Sequence, residues 1–354
     1  MKIAESWLRE WVDPDLDSQA LGHQLTMLGH EVDGIEIDGA AIRDVVIAEV
    51  VAVEKHPDAD RLSVCRVADG GDEILDVVCG APNVRKGMKS PLAKPGTTLP
   101  NGLKLRKSKI RGVVSNGMLC SAVEIGLGDE SDGIIALPDD APVGSPLVDF
   151  LRLPDVVIDL DLTPNRGDCF SVLGIARDVS ALTGTVLKGP VENSVPATIK
   201  DSHPVELVEP AGCPRFAGRI IRGIDPCAKS PIWMTERLRR VGLRAISPVV
   251  DVTNYVMLEL GQPLHAYDFT RLQGPIRPRL AKAGERVVLL DENEVELNED
   301  TMIITDDSGP IGIAGIMGGL STAVSEATTD VFLEAAFWPP AFMAGRARAY
   351  GMHT

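Results

Sequence analysis

The sequence predicts a multidomain α+β protein in which a small closed β-barrel is inserted into a small discontinuous α/β domain, and a larger α+β domain follows. Three observations predict it. The chain has 354 residues, and at roughly 150 residues per domain two or three domains are expected. Hydrophobic residues make up 44% of it, enough for several cores and far from a collagenous or wholly disordered composition. The hydrophobic period also changes along the chain, from helical spacing near the start to short strands after residue 45.

The first segment opens with Trp7, Leu8 and Trp11. Asp17-Ser18 then start a helix whose Leu21, Leu25 and Leu28 recur at i, i+4 and i+7, with Gly29 as its C-cap. From residue 45, VVIAEVVAV, LSVCRVA and ILDVVC read as consecutive strands broken by HPDAD and DGGD turns, and the rhythm continues through IRGVVSNGMLCS and GIIALP. Such short strands suit a small closed barrel, assigned to residues 40–151. VVIDLDLTPNRGD gives a strand and a turn, and a helix from about Cys169 carries Ile175, Val179 and Leu182 on one face and stops at Gly184. This pair is too small to fold alone. Residues 152–195 are therefore expected to complete the domain begun by residues 1–39.

The polar stretch VENSVPATIKDSHP marks the next boundary, and the third domain is assigned to residues 196–354. Its helix at 231–241 takes Ser230 as N-cap, Pro231 at the first helical position and Gly242 just beyond. Strands are expected at RVVLL and EVELN around a DEN turn, then at TMIIT, GPIGIAGI and VFLEAAF. The final RARAYGMHT supplies no closing strand, so this domain is expected to be C-terminally incomplete.

With 35 Lys+Arg against 51 Asp+Glu, the net charge is -16. Such a surface repels nucleic acid at long range, so any RNA contact must come from a local basic patch. One segment qualifies. Arg85, Lys86, Lys89, Lys94, Lys104, Arg106, Lys107, Lys109 and Arg111 place nine cations in 27 residues with no acid between them. The structural alternative is a solvated hairpin balanced by Asp58, Asp60 and Asp69.

The six cysteines are scattered with no C-x-x-C pair, so a structural zinc site is not expected. DLDLTPNRGD at 159–168 superficially matches a calcium loop but has Phe170 where the twelfth-position Glu belongs, so no metal is expected there either. MKIAESWLREW carries no secretory signal and no apolar run approaches 18 residues. A cytoplasmic protein with reduced cysteines and no membrane contact is the expectation.

HPDADRL, VVCGAPNVRKG and KIRGVVSNGMLCSAVEIGLG, in that order, resemble the OB-fold tRNA-binding module appended to several synthetases and tRNA-binding cofactors. Flanked by LREWVD, LGHEVDGIE and DLTPNRGDCFSVLGIARDVSALTG, and followed by SPIWMTERLRRVGLRAISPVVDVTNYVMLELGQPLHAYD, GIAGIMGG and RARAYGMHT, the whole chain resembles the start of the bacterial phenylalanyl-tRNA synthetase beta-subunit family. That resemblance implies an OB barrel inserted in a split domain, and a B3/B4-type editing domain that hydrolyses tyrosine mischarged on the phenylalanine tRNA. It implies an alpha-subunit partner in an α2β2 heterotetramer, with tRNA(Phe) as the nucleic-acid partner. ATP and Mg2+ would be used by the complete enzyme and no cofactor would be held by this chain. Other readings are an RNA-binding or assembly scaffold without activity, and a free-standing aminoacyl-tRNA deacylase.

An editing pocket needs an acceptor for a phenol, apolar walls and groups that position water. Glu334 in VFLEAAF is the expected hydroxyl acceptor, since its carboxylate would stay unpaired against phenylalanine; the strand alternation favours its burial. His265 in GQPLHAYD, expected on a loop after the helix ending at Gly261, could orient water or steady the ribose, with no relay partner that would make a triad. Gly315 and Gly318 in GIAGIMGG are expected where a side chain would obstruct the ring or the terminal adenosine, tight strand packing being the alternative. Arg244, Asn254 and Thr354 complete the substrate-binding set implied by the resemblance. Arg85, Lys86, Lys89, Lys104, Arg106, Lys107, Lys109 and Arg111 form the expected nucleic-acid face.

Overall fold

The computed structural model describes residues 1–129, 131–189 and 194–352. Thr354 and the first residues of the predicted 191–204 boundary lie outside them. The chain forms two compact units, Met1–Thr163 with Pro231–Arg244, and Pro164–Ser230 with Ala245–Thr354.

In the first unit, β1 (Lys2–Ala4) leads into α1 (Glu5–Trp11), which buries Trp7, Leu8 and Trp11. Next, α2 (Ser18–Met27) is capped by Asp17, whose carboxylate accepts the Ala20 N–H at 2.7 Å, a contact worth ~1 kcal/mol. It buries Leu21 and Leu25, and Gly29 at φ +92 turns the chain into β2 (Glu31–Asp38). Between β1 and β2 lies β10 (Asp155–Asp161), antiparallel to both, so Ile158 meets Ile3 on one side and Ile35 on the other. Alternation of VVIDL around this central position gives the sheet its buried face.

Between β2 and β10, a second sheet is built from β3 (Val45–Lys55), β4 (Ser63–Ala68), β5 (Ile74–Cys79), β6 (Lys89–Ala93) and the short β9 (Met118–Leu119), in the order β5-β4-β3-β6-β9. It curls. Val78 N–H donates to Ser115 Oγ at 3.0 Å and Asn116 N–H to Asp76 O at 2.8 Å, drawing the chain just before β9 against β5. Val50, Cys65, Val67, Val77 and Leu92 fill the interior. His56 is a buried turn residue: Nδ1 accepts the Asp58 N–H at 3.1 Å and Nε2 faces Ile110 O at 3.1 Å. Residues 108–115 make a hairpin, β7 (Ser108–Ile110) and β8 (Val113–Ser115), whose two-residue turn puts Arg111 at φ 42 and Gly112 at φ 92, the double left-handed turn that matches strand twist. GIIALP, expected as a strand, is held by a bridge of Leu137 to Lys89, by Ile135 N–H on Cys120 O, and by the Asn83 side chain, which accepts the Ile134 N–H at 3.0 Å and donates to its carbonyl at 2.8 Å. α3 (Leu147–Leu151) closes this region.

The second unit contains α4 (Val172–Thr183) and β11 (Arg215–Ile221). Ser171 caps α4 by accepting the Gly174 N–H at 2.9 Å, and Ile175 and Val179 are buried as expected. Leu182 is not; it is 41% exposed, and Val172 and Ala176 complete the buried stripe instead. Arg166, in the turn ahead of α4, bonds Asp178 at 2.6 Å and so pins that turn to the helix.

Helix α5 (Ile232–Arg240) belongs to the first unit. It starts one residue later than expected, with Pro231 rather than Ser230 as its cap residue, because the Ser230 hydroxyl is turned away to Asp251 at 2.5 Å. α6 (Pro248–Leu260), again in the second unit, begins at Ser247 and stops at Gly261, φ 73.

The rest of the second unit is mostly sheet. β12 (His265–Asp268) is followed by β13 (Arg277–Leu280), β14 (Arg286–Val288), β15 (Glu294–Glu296), β16 (Met302–Asp306), β17 (Gly309–Ile313), β18 (Met317–Gly318) and β19 (Val331–Phe337), then the short α7 (Pro340–Met343) and α8 (Arg346–Ala349). They pair as β11-β19-β12, β13-β16-β17-β18 and β14-β15. Met302, Ile304, Ile311, Tyr267 and Phe332 share one core, and Leu289, Leu297, Ile303 and Ile313 another.

Candidate functional site

The site is laid out on the three-stranded sheet of the second unit. β19 is its middle strand, and antiparallel register sets Glu334 opposite Gly218 of β11 and His265 of β12. Strand alternation then puts Phe332, Glu334 and Ala336 on one face with Phe216, Ile220, His265 and Tyr267, and Val331 and Leu333 on the other. Gly218 has a steric reason: a Cβ there would lie 2.1 Å from Phe332 Cζ. The Phe332 ring uses that space and packs against Phe216, Tyr267 and His203 at centroid distances of 6.5, 6.3 and 5.3 Å.

Glu334 is buried, as its flanking hydrophobic residues suggested, with 7% of its surface exposed. Its Oε2 accepts the Tyr267 hydroxyl at 2.5 Å, and Oε1 has no protein partner among the described residues. Burial pushes the Glu334 carboxyl up to about 7, with the Tyr267 bond pulling the other way. Burial, with the neighbouring carboxylate, drives the Tyr267 phenol well above its ordinary value. The pair therefore exchanges a proton with solvent near neutrality at Glu334 and holds it firmly at Tyr267.

His265 begins β12 rather than lying on a loop, because its backbone is registered on Glu334. Its ring meets Tyr267 edge-on at 4.5 Å, and Nε2 is buried without a hydrogen-bond partner among the described residues. Desolvation lowers the imidazole to about 4. At neutral pH it is uncharged, able to accept or donate one hydrogen bond but a weak base for proton abstraction. Gly318 lies against it: a Cβ there would fall 2.2 Å from His265 Cε1. Glu334, His265 and Gly318 are thus brought together, with Tyr267 as a fourth member that sequence reasoning passed over. Its signal was the spacing in HAYD, since residues two apart in a strand share a face.

The other expected residues among those described have settings of their own. Gly315 sits in a turn at φ +65 under Trp338, where a Cβ would lie 2.8 Å from Cδ1, which is a packing role. Asn254 is half-buried in the middle of α6, the helix beside β12. Arg244 is exposed and belongs to the first unit. On the opposite face of the sheet, Ile221, Val331 and Leu333 line a largely apolar groove of about 850 Å³ with Ile246, Val249 and Val252. Nothing in the sequence pattern singled it out, because VFLEAAF is apolar on both faces.

The basic segment lies in the first unit. Lys104, Arg106, Lys107, Lys109 and Arg111 are exposed on and before the β7–β8 hairpin, and Arg85 and Lys86 on the turn before β6. No carboxylate pairs with any of these among the described residues. Two members of the segment are engaged instead. Lys94 pairs with Asp69, and the half-buried Lys89 donates its ammonium to the carbonyls of Asp139 and Ala141, the latter at 2.7 Å, so Lys89 fixes a loop.

Residues 45–146 match the family model described as "Putative tRNA binding domain", and residues 212–354 match the "B3/4 domain" model. Over the full chain, the phenylalanine–tRNA ligase beta subunit of Pseudoalteromonas translucida (strain TAC 125) is 52% identical and that of Coxiella burnetii (strain RSA 493 / Nine Mile phase I) 53% identical. The chain belongs to the phenylalanine–tRNA ligase beta-subunit family. Members of that family are parts of aminoacyl-tRNA synthetases. The chain covers 44% and 45% of the length of those two beta subunits. Among solved structures, an N-terminal fragment of the phenylalanyl-tRNA synthetase beta-subunit from Pyrococcus horikoshii is similar at 17% identity and a TM-score of 0.29, covering 52% of this chain and 56% of that one. The curled sheet falls within the tRNA-binding match, and Glu334, His265, Tyr267 and Gly318 all fall within the B3/4 match. Among the described residues no helix is long and apolar enough to cross a membrane.

Proposed function

We propose that this chain is the N-terminal portion of a cytoplasmic phenylalanyl-tRNA synthetase beta subunit, and that its second unit hydrolyses tyrosine mischarged on tRNA(Phe). The curled sheet is read as an OB-type barrel, residues 40–151, inserted in a domain made of residues 1–39 and 152–195, a division by sequence that differs from the two compact units, which part at Thr163. Its unpaired cations, Lys104 to Arg111 with Arg85 and Lys86, hold the tRNA. Ligation needs the alpha subunit, in an α2β2 assembly that uses ATP and Mg2+; this chain supplies no part of that cofactor chemistry.

The observation that carries the editing reading is the bond from Tyr267 to Glu334: this carboxyl already accepts a phenol hydroxyl at 2.5 Å. A tyrosyl ester brings a second phenol to Oε1, whereas a phenylalanyl ester would leave that oxygen buried and unpaired, a penalty of about 1–3 kcal/mol. A synthetic pocket that cannot strongly reject an added hydroxyl is corrected in this way by a second site that requires it. Neutral His265 positions the attacking water or the ribose through Nε2. Water adds to the ester carbonyl, the bond to the ribose oxygen breaks, and free tyrosine and the tRNA hydroxyl are released with one proton passing to solvent.

The test is tyrosine release from tyrosyl-tRNA(Phe), with Glu334→Ala and His265→Ala alongside. Release that is lost in the variants, with phenylalanyl-tRNA spared by the wild type, is the expected result. Equal hydrolysis of both esters would sink the specificity claim. A purely RNA-binding scaffold, favoured by the unpaired hairpin cations, predicts salt-sensitive tRNA binding without any release.

A further inference from the structure

We propose that Tyr267 is the positioning residue of this site: by holding one oxygen of Glu334 it leaves the other as the single acceptor for a substrate phenol. This rests on the editing reading and adds the residue that gives its specificity. A glutamate carboxyl turns easily, because its terminal torsion is broad and nearly two-fold. A carboxylate has about four acceptor sites. Left to itself, Glu334 could rotate, or take up water, and would penalise a missing hydroxyl poorly.

Tyr267 removes that freedom. Its own ring is 2% exposed and wedged between His265, edge-on at 4.5 Å, and Phe332 at 6.3 Å. Its backbone is registered on Phe332 and bridged to Ala323. The hydroxyl is therefore delivered to a fixed point, and Oε2 is held there at 2.5 Å. One carboxyl oxygen is satisfied by the protein and one is left, so the site counts hydroxyls: it is complete with tyrosine and incomplete with phenylalanine.

Among the described residues, the titratable groups around the pair are His203, His265, Cys213 and Asp306; His203 packs on Phe332 and burial lowers its imidazole. On β12, His265 is neutral above about 4. Opposite Glu334 on β11 stands Gly218, which offers no side chain. The Cys213 thiol is pushed up to about 11 by burial and by Glu334, and Asp306 on β16 adds to the upward push on Tyr267. The pH response between 6 and 9 accordingly belongs to Glu334, whose ionisation the Tyr267 bond favours.

The experiment uses the full beta subunit assembled with its alpha subunit. Hydrolysis of tyrosyl-tRNA(Phe) and phenylalanyl-tRNA(Phe) is measured from pH 6 to 9 for the wild type, for Tyr267→Phe and for 3-fluorotyrosine encoded at position 267. In Tyr267→Phe the tyrosine-over-phenylalanine ratio of kcat/KM is expected to fall on the order of ten-fold or more, and the rising limb of the pH profile to move alkaline. The fluorinated phenol, a stronger donor that keeps the packing, is expected to move the limb toward acid; it keeps the test valid if the phenylalanine variant folds poorly. An unmoved limb with both esters slowed equally would make Tyr267 merely structural and overturn the proposal. A wild type that releases no tyrosine would refute the editing reading itself, and the proposal with it.

Discussion

The contact between Gly318 and His265 yields a prediction whose size can be worked from the geometry. Gly318 does not have a positive φ, so alanine meets no backbone penalty there and its cost is steric. The new Cβ would lie 2.2 Å from His265 Cε1 and 2.6 Å from Nε2, against an ordinary separation of about 3.5–4.0 Å. The ring is backed by Tyr267 and must leave its place. Overpacking of this kind costs about 1–3 kcal/mol, and the loss of glycine's freedom in the unfolded chain returns about 0.4–1 kcal/mol. Gly318→Ala should therefore destabilise the second unit by roughly 1–2 kcal/mol and displace the imidazole, cutting tyrosine release as much as His265→Ala does. In a His265→Ala background the three atoms nearest that Cβ, all from the imidazole, are gone. There the same substitution should be neutral or slightly stabilising, giving an interaction energy of about 1–3 kcal/mol by a double-mutant cycle. Chemical denaturation of the four proteins, with release assays in parallel, measures it. An equal cost in both backgrounds would refute the reasoning.

Three further outcomes are expected. Glu334 keeps its proton to about 7 when folded, against an ordinary value of 4.5. Over that window the folded state binds more protons than the unfolded one, so stability falls as pH rises, by up to about 3 kcal/mol; Glu334→Gln should flatten the unfolding free energy between pH 5 and 8, and a wild-type profile already flat would contradict the burial argument. Arg240 and Asp155 form a buried pair at 2.8 Å, so Arg240→Ala should strand the Asp155 charge and cost about 3–5 kcal/mol in equilibrium unfolding, with a loss below 1 kcal/mol counting against it. Replacing Lys104, Lys107 and Lys109 with alanine should lower the salt slope of tRNA binding by about 2–3, and binding curves that keep their slope would assign the hairpin to another role.

Much of this was legible in the sequence because it depends on near neighbours. The short apolar runs VVIAEVVAV, LSVCRVA and ILDVVC, separated by turn residues, became β3, β4 and β5, and Ile175 and Val179 lie on a helix stopped by Gly184 as their spacing requires. Glu334 was expected to be buried from its place between hydrophobic residues, and it is. Errors of one residue, such as the start of α5, arose where a side chain found a distant partner, Ser230 on Asp251, in preference to its own helix.

What the chain alone determined, then, is which segments form strands and helices, which face of each is apolar, and the ordered motifs of its family. What the tertiary structure decided is chemical state. The partner of Glu334 lies 67 residues away, His265 lost its charge through desolvation by surroundings assembled from other strands, and Lys89 was drawn from the basic face onto carbonyls about 50 residues on. Secondary structure follows from local sterics and hydrophobic period, which the sequence displays directly. Protonation and hydrogen bonding depend on which remote groups exclude water from a side chain, and only packing in three dimensions sets that.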